Sequence, residues 1–202
     1  MSQISVEKNI KGISGLCLIT PHVYSDSRGY FTETYNLRDL AEYGLDYLFV
    51  QDNQSMSRKG VLRGLHYQKR HPQSKLVRVI KGCVFDVAVD LRIGSDTFGQ
   101  WHGEILSEEN HKQLLIPRGF AHGFFVLSDF AEFCYKCDEY YYPSDEGGIA
   151  WNDPDIGILW PNILGAYSGN ASAEGYSYDD KPLILSEKDQ SWQCLNKSNL
   201  FL

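Results

Sequence analysis

The 202-residue sequence contains no apolar run approaching the roughly 18 residues needed to span a membrane. Its opening stretch, MSQISVEKNIKGI, lacks the basic-then-apolar order of a secretion signal, so the chain is expected to be cytoplasmic. Basic residues are also in deficit. Nineteen Lys and Arg against twenty-six Asp and Glu leave a formal net charge of −7, which argues against nonspecific binding to nucleic acid or anionic lipid. An anionic ligand would therefore need a local basic pocket. The five cysteines, at 17, 83, 134, 137 and 194, are odd in number and irregularly spaced, which does not suggest a disulfide framework. No internal repeat is present. What the chain does have is 43% hydrophobic and 13% aromatic residues, a composition that folds and, at this length, suits one domain with a sizeable core.

Between residues 12 and 140, Val, Ile, Tyr and Phe recur in short segments separated by Gly, Asp, Asn and Ser, the pattern of strands. About eight are expected: Gly15–Val23, Gly29–Tyr35, Lys75–Lys81, Cys83–Leu91, Trp101–Leu106, Gln113–Pro117, Gly123–Val126 and Ala131–Cys137. Two short helices are expected, Leu37–Tyr43 behind the cap Asn36, and Glu187–Leu195. So little helix cannot cover both faces of a parallel sheet, so an all-β antiparallel sandwich or barrel follows, with a jelly roll first among the choices. The segment 165–180, GAYSGNASAEGYSYDD, has neither hydrophobic period and reads as a mobile loop within a single domain spanning 1–202.

Chemistry concentrates after residue 50. In QDNQSMSRKGVLRGLHYQ, amides, arginines and a histidine replace apolar residues, so the segment reads as a strand sending polar groups into a cavity. Gln51, Asn53, Arg63 and His66 offer the amide, guanidinium and imidazole groups that can hold an anionic, hydroxyl-rich ligand and move a proton. A solvent-wetted strand face is the plainer reading of Gln51 or Asn53 taken alone. CYKC at 134–137 imitates a CxxC, but strand alternation sends its two sulfurs to opposite faces. His71, His102 and His111 sit in polar stretches and read as solvated surface residues, and Arg118 as a rim charge. Asp86 is a candidate to orient a histidine if its register points inward.

Gly60, His66 and Gly82, followed by Pro117, Gly119 and His122, have the spacing of the two boxes of the cupin jelly roll, which the chain resembles. Metal-binding cupins carry a second histidine and a carboxylate in the first box. Here Gln68 and Lys75 stand at those positions, and an ammonium repels a divalent ion where a ligand is needed, so no metal is expected. Within the cupins, DSRGYFTETYN (26–36), SKLVRVIKGCVFDVAVDLR (74–92), LLIPRGFAHGF (114–124), YKCDEYYYP (135–143), GIAWNDPDIGILWP (148–161) and LSEKD (185–189) run in the order found in the dTDP-4-dehydrorhamnose 3,5-epimerase family.

That resemblance implies a cofactor-free isomerase that inverts C3 and C5 of a 4-keto-6-deoxyhexose carried on a nucleoside diphosphate. By motif, His66 would be the base, Asp189 its partner, Tyr135 the proton donor and Lys75 the cation facing the enolate. Arg63 and Lys188 would meet the diphosphate, and Gln51, Asn53, His122 and Glu146 would make further ligand contacts. Tyr141 and Tyr24 are candidates to stack on the base or line the sugar site. Arg28 and Glu33 would reach the neighbouring subunit's site in a homodimer. Inversion at C3 alone, a GDP- or CDP-linked substrate, a ketoisomerase and a noncatalytic carbohydrate-binding cupin remain open alternatives.

Overall fold

The computed structural model describes residues 3–164, 176–179 and 181–196. The strands, in chain order, are β1 Ile4–Lys8, β2 Cys17–Pro21, β3 Val23–Asp26, β4 Gly29–Thr32, β5 Gln51–Arg58, β6 Leu62–Gln68, β7 Lys75–Lys81 and β8 Cys83–Asp90. They continue with β9 Trp101–Ser107, β10 Gln113–Ile116, β11 Phe120–Val126, β12 Phe130–Cys137 and β13 Glu146–Gly148, then three two-residue strands, β14 Ile163–Leu164, β15 Ser177–Tyr178 and β16 Lys181–Pro182. Among the described residues, two helices, α1 Leu37–Glu42 and α2 Glu187–Ser191, complete the regular structure along with two single 3₁₀ turns.

Two antiparallel sheets face each other, one ordered β1-β2-β10-β7-β12-β5 and the other β13-β6-β11-β8-β9. This is the cupin-like jelly roll expected from the sequence. Between the sheets lies a core built from Val77 and Val79 of β7, Leu114 and Ile116 of β10, Phe133 of β12, and Val84, Leu106, Phe120, Phe124 and Val126 from the facing sheet. A second cluster covers the outer face of the five-stranded sheet, where Leu62, Leu65, Val87, Val89 and Phe125 meet Trp151, Ile156, Trp160, Tyr176 and Tyr178. A third covers the six-stranded sheet, with Ile19, Leu76 and Leu115 packed against Leu40 and Leu45. The α1 helix is seated there because the Asn36 side chain accepts from the Arg38 amide, as an N-cap should. The apolar inter-sheet core fills only part of the sandwich. Toward one end, β5, β6, β7 and β12 exchange apolar for polar inward residues, and a cavity opens.

Several elements differ from the sequence reading. The polar segment from Gln51 to Gln68 is two strands in opposite sheets, because the chain turns at Lys59–Gly60, where Gly60 takes φ +82°. Gly15–Val23 is broken at Pro21, and Val23 opens a separate hairpin with β4 that lies outside both main sheets. The second helix stops at Ser191, since Trp192 is extended. Most of the expected loop 165–180 falls outside the described residues. Its end does not behave as a loop, because Tyr176 and Tyr178 are buried and β15 pairs with both β14 and β16. His102 is also not a surface residue. It is buried on β9, 3.4 Å from Glu104. Among the described residues, no helix is long and apolar enough to cross a membrane.

Two residues that close the ends of β8 generate predictions. Gly82, in the β7–β8 turn, has φ +77°, and a Cβ there would lie 2.1 Å from the Phe130 carbonyl oxygen. Gly82→Ala is expected to cost about 1–3 kcal/mol, from left-handed strain and overpacking together, read by urea unfolding. Asp90 is fully buried and accepts from Arg92, Ser95 and Thr97. Burial pushes its carboxyl up, but these donors outweigh burial and hold it at about 2. Its folded value lies below its unfolded one, so the stabilisation is complete above about pH 4 and disappears as pH falls through about 2. The wild-type protein should thus lose on the order of 2 kcal/mol more than Asp90→Asn between pH 5 and pH 2.

Candidate active site

The cavity has two adjoining lobes of about 240 and 440 Å³ that share Asn53, His66, Lys75 and Tyr135. Strand alternation explains who faces it. On β5 the inward series is Gln51, Asn53, Ser55 and Ser57, while Asp52, Gln54 and Met56 face out. Tyr135 pairs in register with Asn53 and Val77, and Cys137 with Gln51 and Lys75, so these side chains emerge on one face of the six-stranded sheet. His66 comes from the opposite sheet, in register with His122 on β11 and Gly148 on β13. An imidazole therefore confronts a phenol and an ammonium across the gap between sheets.

His66 Nε2 lies 2.5 Å from Asp189 Oδ1. The carboxylate arrives on α2, whose cap Ser186 accepts from the Asp189 amide, so the helix start aims Asp189 at the cavity wall. Burial pushes the Asp189 carboxyl up, but the His66 hydrogen bond and charge, together with Ser186 and the Gly64 amide, hold it below the usual carboxylate range. Lys75 lies 5.9 Å from the Tyr135 ring centroid. Burial lowers its ammonium, and Cys137, Asp86 and Glu146 oppose that. The Tyr135 phenol is raised chiefly by burial, so it keeps its proton at neutral pH.

Of the binding residues expected from the sequence, Gln51, Asn53, Arg63, His122, Tyr141 and Glu146 line the cavity. Lys188 stands at its rim, 2.6 Å from Glu146 Oε2, and the Tyr141 hydroxyl donates to that same oxygen at 2.7 Å. This contact pushes the Tyr141 phenol up to about 12. Arg63 is anchored by donating to Ser57 Oγ at 2.9 Å. Arg28, Glu33 and Tyr24 are not brought to the cavity. Arg28 pairs with Asp26 in the exposed β3–β4 hairpin, Glu33 accepts from the Asn36 side-chain Nδ2, and the Tyr24 hydroxyl donates to Gln3.

Other contributors were only partly legible. Asp86, fully buried on β8, lies 2.9 Å from His122 Nε2, as a diagonal neighbour across the β8–β11 pair. Burial lowers the His122 imidazole, against the opposing pull of Asp86, so it stays neutral near pH 7. Gln68, at the position of the second cupin histidine, is buried at the wall of the smaller lobe with its amide committed to backbone groups. Its amide donates to the carbonyls of His71 and Tyr140, and its oxygen accepts from the Tyr142 amide. With Gln51 accepting from the Tyr141 amide, it fixes the loop that carries Tyr141 to the rim. No feature of the local sequence announces this clasp; only the paired position of β6 beside that loop reveals it.

A jelly roll that offers acid and base to one cavity from its two sheets defines a cupin-type protein equipped for proton transfer. Comparison with known proteins narrows the class. A family model described as dTDP-4-dehydrorhamnose 3,5-epimerase matches residues 11–197. The dTDP-4-dehydrorhamnose 3,5-epimerase of Methanothermobacter thermautotrophicus is 52% identical over 190 residues, covering 94% of this chain and 95% of that protein. That of Pseudomonas aeruginosa is 50% identical over 190 residues, covering 94% and 96%. Among solved structures, dTDP-6-deoxy-D-glucose-3,5-epimerase from Legionella pneumophila, in complex with dTDP-4-keto-L-rhamnose, superposes with a TM-score of 0.83 at 45% identity over 95% of this chain and 92% of that one. The chain belongs to the dTDP-4-dehydrorhamnose 3,5-epimerase family, and is an isomerase.

Gln68→Glu tests the clasp. A carboxylate of the same length cannot donate to the two carbonyls, so the Tyr141 loop should loosen. The expected result is a KM for the sugar nucleotide raised several-fold with kcat little changed, and a loss of about 1–3 kcal/mol in unfolding free energy.

Proposed function

We propose that the chain inverts C3 and C5 of dTDP-4-dehydro-6-deoxy-D-glucose, by enolisation and without a cofactor, to give dTDP-4-dehydro-L-rhamnose. The observation that carries this reading is the placement of His66 and Tyr135 on opposing sheets around one cavity, with Lys75 beside the phenol. The C4 ketone acidifies the hydrogens on C3 and C5. His66 removes one of them while Asp189 stabilises the imidazolium and fixes its tautomer. The electron pair moves onto the carbonyl oxygen, where the Lys75 ammonium meets the developing charge, a contribution on the order of 3–4 kcal/mol by analogy with a single oxyanion donor. Tyr135 then protonates the carbon from the other face, and the configuration inverts. Both residues exchange protons with solvent before the second centre reacts.

The donor set favours this chemistry over metal ligation, because the Gln68 amide is committed to backbone groups and Lys75 occupies the carboxylate position of metal-binding cupins. Arg63 and Lys188 receive the diphosphate. Lys188 must then leave Glu146 or share it, which fits a basic pocket built into an acidic protein. Gln51, Asn53, His122, Tyr141 and Glu146 hold the rest of the ligand. We assign Arg28 and Glu33 to the neighbouring site of a homodimer. Supporting this, the β3–β4 hairpin stands apart from both sheets and exposes Arg28, Tyr30 and Phe31. The cytoplasm is the proposed location.

Incubation with the dTDP ketosugar in deuterated water, read by mass spectrometry, should place two deuterons in the product. One deuteron at C3 would mean a 3-epimerase, and none would overturn the reading. His66→Ala should reduce exchange by about 10²–10⁴-fold. Tyr135→Phe should retain exchange, because His66 can return a proton to the face it came from, while inversion falls.

A further inference from the structure

We propose that Trp192 is a positioning residue for the His66–Asp189 pair, and that Gly148 is glycine to make room for it. The inference rests on the reading of His66 as the base. Trp192 directly follows α2, three residues beyond Asp189, so one short stretch of chain delivers both the carboxylate and the indole. The indole meets the His66 imidazole edge-on, with ring centroids 6.4 Å apart and planes at 67°. Gly148 lies opposite His66 in the β13–β6 register, so a side chain there would emerge beside the imidazole. It would have nowhere to go. A Cβ on Gly148 would fall 2.3 Å from Trp192 Cε2, 2.4 Å from Cδ2 and 2.5 Å from Nε1, against the middle of the ring system rather than a movable tip. Trp192 Nε1 is buried and has no hydrogen-bond partner among the described residues. The indole is thus placed for its flat bulk and not for its donor.

A flat apolar wall at this point does two things for the pair. It limits the swing of the imidazole, whose angle to the substrate carbon governs proton removal. It also keeps water from competing for Asp189, so the carboxylate acts on the imidazolium in a less polar medium. The indole lies against His66 and Gly148, so its removal should act on turnover rather than on binding.

The test is a cycle of Trp192→Ala, Gly148→Ala and the double variant, with kcat and KM for the dTDP ketosugar measured beside thermal unfolding. Trp192→Ala should lower kcat by about tenfold or more, with KM within about twofold of wild type, since small misplacements of a reacting group are costly. Trp192→Phe should restore most of the loss. Gly148→Ala should also lower kcat, and the double variant should be no worse than Trp192→Ala, because the clash disappears with the indole. If Trp192→Ala does not fold, Trp192→Leu takes its place with the same readouts. Wild-type kcat in the Trp192 variant, a parallel change in kcat and KM, or additive losses in the double variant would overturn the proposal. His66→Ala separates this from the parent reading: retained deuterium exchange there would fail the base assignment, whatever the cycle gives.

Discussion

The contact between His66 and Asp189 joins parts of the chain 123 residues apart, and the rest of the site is organised around it. Without the carboxylate, the imidazole would be free to choose its tautomer and its angle. Without the imidazole, a nearly buried carboxylate would face the cost of lying out of water unpaired. The pair also ties the C-terminal segment to the five-stranded sheet at the point where the cavity begins. The covering layer of Trp151, Trp160, Tyr176 and Tyr178 on the outer face of that sheet completes the attachment, so that a helix of five residues can hold a charged group in place.

The jelly roll solves a geometric problem. Inversion of a carbon centre calls for proton donor and acceptor on opposite sides of a flat intermediate, and two facing sheets supply two sides. In the mechanism proposed for this chain, one inward position on β6 and one on β12 are enough, with register fixing their height along the strands. Apolar packing then stops short of the mouth. Phe133 is the boundary: it stacks on Phe124 below and on His122 toward the cavity, so the floor of the polar space is the roof of the core.

Much of this could be read from residues alone. The boundaries of β7 and the capped start of α1 follow from local pattern, because strand alternation and an Asn N-cap act over a few residues. The four groups His66, Lys75, Tyr135 and Asp189 were legible through motif likeness, and the fold places them together. Features that depend on pairing were not legible. Pro21 lacks the donor a continuing ladder needs, and it splits what composition presents as one strand. His102 stands among polar neighbours, yet its register turns it inward. Asp86 was legible as a candidate to orient a histidine, but that the histidine is His122 emerges only once β8 lies beside β11, and Gly148 owes its identity to a ring 44 positions further on.

Gln68 constrains how such a scaffold can change its chemistry. Replacing it with the histidine of a metal-binding cupin would supply an imidazole and, in the same step, strip two hydrogen bonds from the segment bearing Tyr141 and one from His71, while the Lys75 cation still stood where an anionic ligand is required. Each single replacement on that path is a loss before any ion is gained. The two chemistries are thus separated by a valley that one substitution cannot cross, and descendants of this site are held to proton traffic by the architecture of the rim.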